Sequence, residues 1–588
     1  MLDASAQPGL RPSLVRCLLV VLLAASLLVG LGRQVALSSH ESLVAVTARN
    51  MAENRPVTLA DGSHPSPYLV PNFNGGPRLR KPPLPYWLVV AGSRLGGSVT
   101  EWTARLPSAL AALGTVLLVA WLVRQEGTWS DAWLAAMALG TMVGFLLMAH
   151  RAMADMPLTF FTTASTAALW RACRRRGPRQ FGWLVAAGVA AGLGALAKGP
   201  VPLLVLAGPA LVALGVMLRV RSTSEGAPDG ARRWTVAGLA LAVLVFLGIA
   251  LSWPAYVWAR IPEAASVWRA ESLDRATGDL GHEEPVYFYL LRLPILVLPW
   301  LYFFLDGLWR AARRAVVRPG DRTWLLFLGA WLLVPLVGFS TSAGKQDHYL
   351  LPVLPVAAIY AGMSMKHLFA QAPEEAAWHS RRTALAHGAA FLLAGIGAVV
   401  YVAFVHAPCR AAGALLGGTV AVGGVVAAVL AVRRRLVEGQ AVLFAAVLVA
   451  FPVAWIGLGG PFDKAGLGRQ FARQVNRLVP AEAPVFFYGE ANASVIFYAD
   501  RTIPLVGGPE GLQQAAEGGG PLFVIGRTCA PPTAMTAMRW ESLACETAPG
   551  HADKGFWLFR KIPEDDRGCA PLPLPAARQA RSAPARNT

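Results

Sequence analysis

Charge is what this chain has least of. Only 15% of its 588 residues are Asp, Glu, Lys or Arg, where a soluble globular protein carries about a quarter. With 55% hydrophobic residues, that shortfall excludes an ordinary soluble domain and points to a polytopic α-helical membrane protein. Acid is scarcer than base: 34 Asp and Glu stand against 53 Lys and Arg, a formal net charge of +19. Such an excess could mark a nucleic-acid binder, but the basic residues lie in short clusters between apolar stretches and not on one polar face. That distribution orients a membrane protein, so no nucleic-acid partner is expected. The six Cys include no pair at zinc-finger spacing. Cys529 and Cys545 fall in a region read below as exported, where a disulfide between them could form. The sequence shows no long internal repeat. Finally, ionisable residues are nearly absent from the centres of the apolar stretches, where a transporter or pump is expected to place some.

A helix that crosses a bilayer needs roughly 20 largely apolar residues. Thirteen stretches qualify, some short or interrupted: 14–32, 103–123, 132–149, 156–171, 181–197, 200–218, 234–258, 286–308, 324–340, 349–367, 384–405, 412–432 and 441–459. With the N-terminus inside, the short inner loops hold twenty-one Lys and Arg and the short outer loops only four: Arg151, Lys198, Lys345 and Arg410. That bias sets the orientation, and an odd number of spans exports the C-terminal region. The first span is expected to be an uncleaved signal, since no clean small-residue cleavage site follows it.

Two outer loops are long, 33–102 and 259–285. In the first, residues 41–53 suit a short interfacial helix. Residues 84–96 are apolar but too short to span, and suit a second, with Tyr86 and Trp87 at headgroup level. Beyond residue 460 the pattern changes. Residues 464–478 read as an amphipathic helix, 485–488, 502–506 and 522–525 as short strands, 491–499 and 509–517 as helices between them, and 556–560 as a closing strand. The expected organisation is a membrane domain over 1–459, a small extracytoplasmic α/β domain over 460–562 and a disordered tail over 563–588.

The ionisable residues gather at the outer ends of the spans: His40, Glu41, Lys81, Asp155, Lys198, Glu283, Glu284 and Lys345. Carboxylates and ammonium groups at one depth suit chemistry on a lipid headgroup. A carboxylate can accept the proton of an incoming hydroxyl, and cations can hold a phosphate leaving group. Glu41 and Asp155 are the candidate bases. Lys81, Lys345 and an arginine of the second long loop (Arg260, Arg269 or Arg275) are the candidate phosphate ligands. Singly, each has a plainer reading: an outer Lys or Arg snorkels to the interface, and an acid at a helix start is a cap.

Several motifs follow in order: His40-Glu-Ser-Leu, Pro71-Asn-Phe-Asn-Gly75, Lys81-Pro-Pro-Leu-Pro-Tyr-Trp87, Ala104-Arg-Leu-Pro-Ser108, Arg151-Ala-Met-Ala-Asp155, Ala197-Lys-Gly-Pro200, Leu298-Pro-Trp300 and Lys345-Gln-Asp-His-Tyr349. Together they resemble the bacterial membrane glycosyltransferases of the protein O-mannosyltransferase type, the branch that includes the aminoarabinose transferase modifying lipid A. The resemblance covers roughly residues 14–460. It implies the GT-C architecture, with a long first outer loop and a cavity facing away from the cytoplasm. The implied reaction passes a sugar from a polyprenyl-phosphate carrier to an acceptor (a lipid A-like glycolipid, a polysaccharide or an exported protein). The resemblance implies no soluble cofactor, no nucleotide sugar and no catalytic metal, and a place in the bacterial inner membrane. By position, the family's acidic pair falls on His40-Glu41, with His in place of Asp, and a family arginine falls on Leu43. A second family acid matches Asp155. Lys81, Lys345 and Tyr349 match residues expected at the carrier phosphate, with Arg269 a further candidate there. Asp155, Glu41 or His40 is then the base, His40 because its ordinary pKa lies near neutrality. A lipid or sugar transporter and an inactive envelope scaffold are the competing readings; the replaced Asp is the best argument for the scaffold.

Overall fold

The computed structural model describes residues 12–32, 34–222, 229–277, 284–370, 374–405, 409–462, 464–517, 521–527, 539–548 and 551–562. The expected tail and the Cys529–Cys545 pairing lie outside these residues. Each of the thirteen apolar stretches is helical. Among the described residues, nine helices are long and apolar enough to cross a membrane, and counting each of two bent pairs as one span makes eleven. The other two are Pro12–Leu28 and Asp155–Cys173. The second of these is less apolar because it carries a run of buried hydroxyls. Three of them bond back along the helix or across it: Thr159 Oγ1 donates to the Asp155 carbonyl at 2.8 Å, Thr162 Oγ1 to the Leu158 carbonyl at 2.9 Å and Ser165 Oγ to the Ala187 carbonyl at 3.0 Å.

The chain divides into two compact units. One comprises the described residues up to Val35, then Thr47–Asn72 and Pro77–Phe462. The other comprises Ala36–Val46, Phe73–Gly76 and the described residues from 464 on. The expected C-terminal domain thus also takes in two short pieces of the first long loop.

In the helical unit, two spans expected to be continuous are broken. Trp129–Gly140 and Val143–Ala149 meet at 66°, and Phe288–Leu296 and Leu301–Val317 at 112°. The second break falls at Pro299, which has no N–H to give a helix. A break inside a membrane leaves backbone groups that lipid cannot satisfy. Here the two breaks satisfy each other: Val143 N–H donates to the Leu298 carbonyl at 2.9 Å, and Trp300 Nε1 donates to Thr141 Oγ1 at 2.8 Å. Arg105, fully buried, does similar work beyond the first span, donating from Nη1 to the carbonyls of Leu31 at 3.2 Å and Val35 at 2.8 Å. Its guanidinium also lies 5.7 Å from the centre of the Trp455 ring. Elsewhere glycine lets helices touch backbone to backbone. A Cβ at Gly307 would stand 1.9 Å from the Tyr360 carbonyl oxygen, so only Gly allows Leu301–Val317 and Leu354–Ala370 this approach.

The segments expected at the interface are helices, Ser39–Ala52 and Leu84–Gly96; the second begins with Pro near its N-terminus and ends on Gly97 in the left-handed region. The second long loop contains the helix Ala264–Thr277. Between the first two lies a two-residue hairpin, β1 (Asn72–Phe73) and β2 (Gly76–Pro77). It turns on Asn74 and Gly75, both at positive φ (56° and 85°), as a tight twisted turn requires.

The second unit holds a five-stranded sheet. Its strands are β3 (Val485–Tyr488), β4 (Leu505–Val506), β5 (Phe523–Gly526), β6 (Trp540–Ala548) and β7 (His551–Lys561), in the order β4-β3-β5-β7-β6. β3 runs parallel to β4 and β5, and β7 antiparallel to β5 and β6. The crossovers are the helices Ala493–Ala499 and Gly508–Ala516, as parallel neighbours require. The one strand not anticipated is β6. It is an edge strand bearing Glu541 and Glu546, so it lacks an apolar run. Asn74 joins this unit through its side chain: Nδ2 donates to the Ile503 carbonyl at 2.7 Å, and Oδ1 accepts from Ile503 N–H at 2.8 Å. The amide side chain thus pairs with the backbone as a strand residue would.

Candidate active site

Asp155 is the first residue of the helix Asp155–Cys173 and is buried, 3% exposed. A carboxylate taken out of water needs a partner. It has one in Lys198, the last residue of Gly177–Lys198, whose ammonium forms a hydrogen-bonded ion pair with it. The two helices pack side by side, so the first residue of one meets the last residue of the other. Gly199 follows at positive φ and ends the second helix there.

A third element completes the group. The short 3-10 helix Asp347–Val353 brings His348 Nε2 to 3.9 Å from Asp155 Oδ1. It also sets the Tyr349 ring against Lys198, with Nζ 4.4 Å from the ring centre. This segment is fixed at its start by Tyr289, whose hydroxyl donates to the Gln346 carbonyl and accepts from its N–H, both at 3.3 Å.

Lys81 approaches along the first long loop, where Leu79 and Leu84 on either side of it pack with Leu158 and Leu196 of the two helices. It forms an ion pair with Glu271 at 2.6 Å. Glu271 belongs to Ala264–Thr277, and Trp268 of the same helix donates from Nε1 to the Leu79 carbonyl at 2.9 Å. Beneath these charges lies an apolar floor in which Leu79 and Leu84 pack with Leu158, Leu196, Trp253 and Val257. Four separate stretches of chain are held together there.

The structure therefore gathers Asp155, Lys198, His348, Tyr349 and Lys81. Lys345 is buried nearby in sequence and donates to the Glu284 carbonyl at 2.6 Å. Arg269, two residues before Glu271, is exposed. Glu41 and His40 belong to the other compact unit. Glu41 closes a capping box: Ser38 donates to its carboxylate from N–H at 3.0 Å and from Oγ at 2.9 Å. His40, one residue earlier, is exposed. Sequence reasoning had not assigned a role to His348, Glu271 or Lys198. His348 was in plain view inside the Lys345–Tyr349 motif and Lys198 inside Ala197-Lys-Gly-Pro200; Glu271 carries no local signal. Glu283 lies outside the described residues, and among these no group of three His, Cys, Asp or Glu could hold a metal ion.

Chemically, this is a buried carboxylate paired with an ammonium group, with an imidazole, a phenol and a second ammonium at its edge. It can take a proton from a hydroxyl and hold an anion beside it.

Residues 62–263 match the family model of dolichyl-phosphate-mannose-protein mannosyltransferase. Over 308 residues the chain is 33% identical to the undecaprenyl phosphate-alpha-4-amino-4-deoxy-L-arabinose arabinosyl transferase of Pseudomonas aeruginosa (strain LESB58), covering 51% of this chain and 52% of that one. It is 31% identical over 315 residues to arabinosyl transferase 1 of the same description from Pseudomonas fluorescens (strain Pf0-1), covering 51% of each. The chain thus spans about half the length of the curated relatives it matches. Among solved structures, that of ArnT from Cupriavidus metallidurans bound to undecaprenyl phosphate superposes with a TM-score of 0.69 at 22% identity, over 94% of this chain and 98% of that one. That likeness is one of fold. Together these matches bear out the resemblance drawn from the motifs and the expected architecture of many spans with a small α/β region.

Proposed function

For a chain with the motifs and the fold of the GT-C membrane glycosyltransferases, we propose the matching activity: transfer of a sugar from a polyprenyl-phosphate carrier to an envelope acceptor. The acceptor is a lipid A-like glycolipid, a polysaccharide or an exported protein. The named relatives are arabinosyl transferases of an undecaprenyl-phosphate-linked aminosugar, and the solved relative holds undecaprenyl phosphate. The observation that carries the reading is the buried Asp155–Lys198 pair, ringed by His348, Tyr349 and Lys81. It lies at the opposite ends of its two helices from Arg171, Arg174, Arg175, Arg176 and Arg179. The same bias supports an inner-membrane orientation with this group and the C-terminal α/β region on the extracytoplasmic side.

In the proposed reaction the acceptor oxygen attacks the anomeric carbon, the bond from that carbon to the phosphate oxygen breaks, and the carrier leaves as polyprenyl phosphate. Asp155 takes the acceptor proton. Lys198 pairs with its carboxylate and fixes its direction before the acceptor arrives. Charge builds on the departing phosphate, and Lys81, with Tyr349 and Lys345, supplies the cationic and hydroxyl donors to receive it. Arg269, on the helix that pairs with Lys81, can add a further cation. The phosphate replaces Glu271 as the partner of Lys81. Glu41 ranks below Asp155 as base because its carboxylate already caps a helix, and His40 ranks below both because it is exposed.

The experiment is sugar transfer in membranes supplied with undecaprenyl-phosphate-linked sugars, read by mass spectrometry of the lipids and exported proteins. At equal expression, Asp155→Ala loses the adduct while Glu41→Gln and His40→Ala keep it. If Glu41→Gln alone abolishes transfer, the base is wrongly assigned. If wild type yields no adduct with any donor sugar, the transferase reading fails and the transporter and scaffold readings replace it.

A further inference from the structure

The arginine-rich end of the helical unit holds a cavity of about 630 Å³ that the transfer chemistry does not use. Its basic lining is Arg310, Arg313, Arg314, Arg318, Lys366 and His367. Residues 310, 313 and 314 share one face of Leu301–Val317, three and four positions apart. Arg318 caps that helix, where its carbonyls favour cations. The facing wall is the helix Leu354–Ala370, drawn close at Gly307, so that Ser364 Oγ donates to Asp306 Oδ2 at 2.5 Å.

Three of the cations are matched. Arg310 pairs with Asp306 at 2.7 Å, Arg314 with Asp321 at 2.6 Å and Lys366 with Asp131 at 2.6 Å. Arg313 and Arg318 have no carboxylate partner among the described residues; Arg313 lies over the Trp309 ring, 4.8 Å from its centre. The cavity therefore carries two permanent positive charges beyond its acids. Its rim is apolar and exposed: Trp309 and Val317 line it, and Val316 is 83% exposed beside them. A free phosphate has no use for such a rim, whereas acyl chains do.

We propose that this cavity binds the phosphodiester headgroup of an anionic phospholipid, with Arg313 and Arg318 on the phosphate and the acyl chains along Trp309, Val316 and Val317. Basic pockets between membrane helices at the positive end of a bundle recognise such headgroups. The site stands apart from the proposed transfer reaction, so it is tested without measuring transfer.

The test uses the purified full-length protein and native mass spectrometry with phosphatidylglycerol, phosphatidylethanolamine or inorganic phosphate as probe. Wild type retains phosphatidylglycerol in preference to phosphatidylethanolamine, and its co-purifying lipid is enriched in anionic species over the source membrane. Arg313→Ala/Arg318→Ala weakens phosphatidylglycerol binding by about tenfold or more and leaves phosphatidylethanolamine unchanged. Arg175→Ala/Arg176→Ala, which removes two arginines elsewhere at the same end, leaves both unchanged. Three results would each overturn the assignment: no anionic enrichment in wild type, an equal loss in the Arg175/Arg176 variant, or phosphate binding as tightly as the lipid. The enrichment is measured on wild type, so it decides the matter even if the alanine variant does not fold.

Discussion

The two ends of the helical unit use the same chemistry to opposite purposes. At one end Asp155 and Lys198 pair with side chains only 4% and 10% exposed. At the other, Arg314 and Asp321 pair with side chains 52% and 39% exposed. The buried pair is matched charge for charge and hemmed in by His348 and Tyr349. The exposed end is over-supplied with cations, some of them unmatched. Positive charge that orients a protein in a membrane can stay wet and interchangeable, whereas charge taken out of water has to be paired.

The sharpest way to break this contrast is Asp155→Ala. Transfer should fall by about 10²- to 10⁴-fold, the range for loss of a general base, measured as adduct formed per unit of protein in membranes. Next is Lys198→Met, which strands a buried carboxylate. It should cost about 3–5 kcal/mol, seen as a lowered melting temperature in detergent. Asp155→Asn/Lys198→Met should recover most of that stability and none of the transfer. A single variant as stable as wild type would mean that the pair is wetter than its burial implies.

At the arginine-rich end, packing should matter more than charge. Gly307→Val places a side chain against the Tyr360 carbonyl and should cost about 1–3 kcal/mol in the same melting assay. Asp321→Asn breaks an exposed pair and should change stability by no more than about 0.5 kcal/mol. If it costs as much as Lys198→Met, burial is not what separates the two ends.

Much of this was legible in the chain. Every apolar stretch became helix because a membrane leaves the backbone little alternative. Pro299 marks the second break in the sequence, but the break at Thr141 was not legible, since apolar composition runs straight through it and the bonds that tolerate it come from the other break. In the second unit β3, β5 and β7 carried apolar runs, while β6 did not, because an edge strand needs no second buried face. Asp155 stood out as an acid at the head of a span. Its partners did not: Lys198 reads like any snorkelling lysine until the fold sets it against Asp155, and His348 sits in a motif whose lysine and tyrosine drew the notice. Glu41 had its capping partner three residues away, so its plainer role was readable from Ser38-x-x-Glu.

The link between Asn74 and Ile503 joins residues 429 positions apart. Asn74 leaves the ribosome first, and its partner follows only after the intervening chain has been made. At about 5–20 residues per second, on the order of 20 to 90 s separate the two. During that interval every remaining span is threaded into the bilayer while the hairpin turn waits with its amide unanswered. The second unit therefore closes only after the spans between Asn74 and Ile503 have been made.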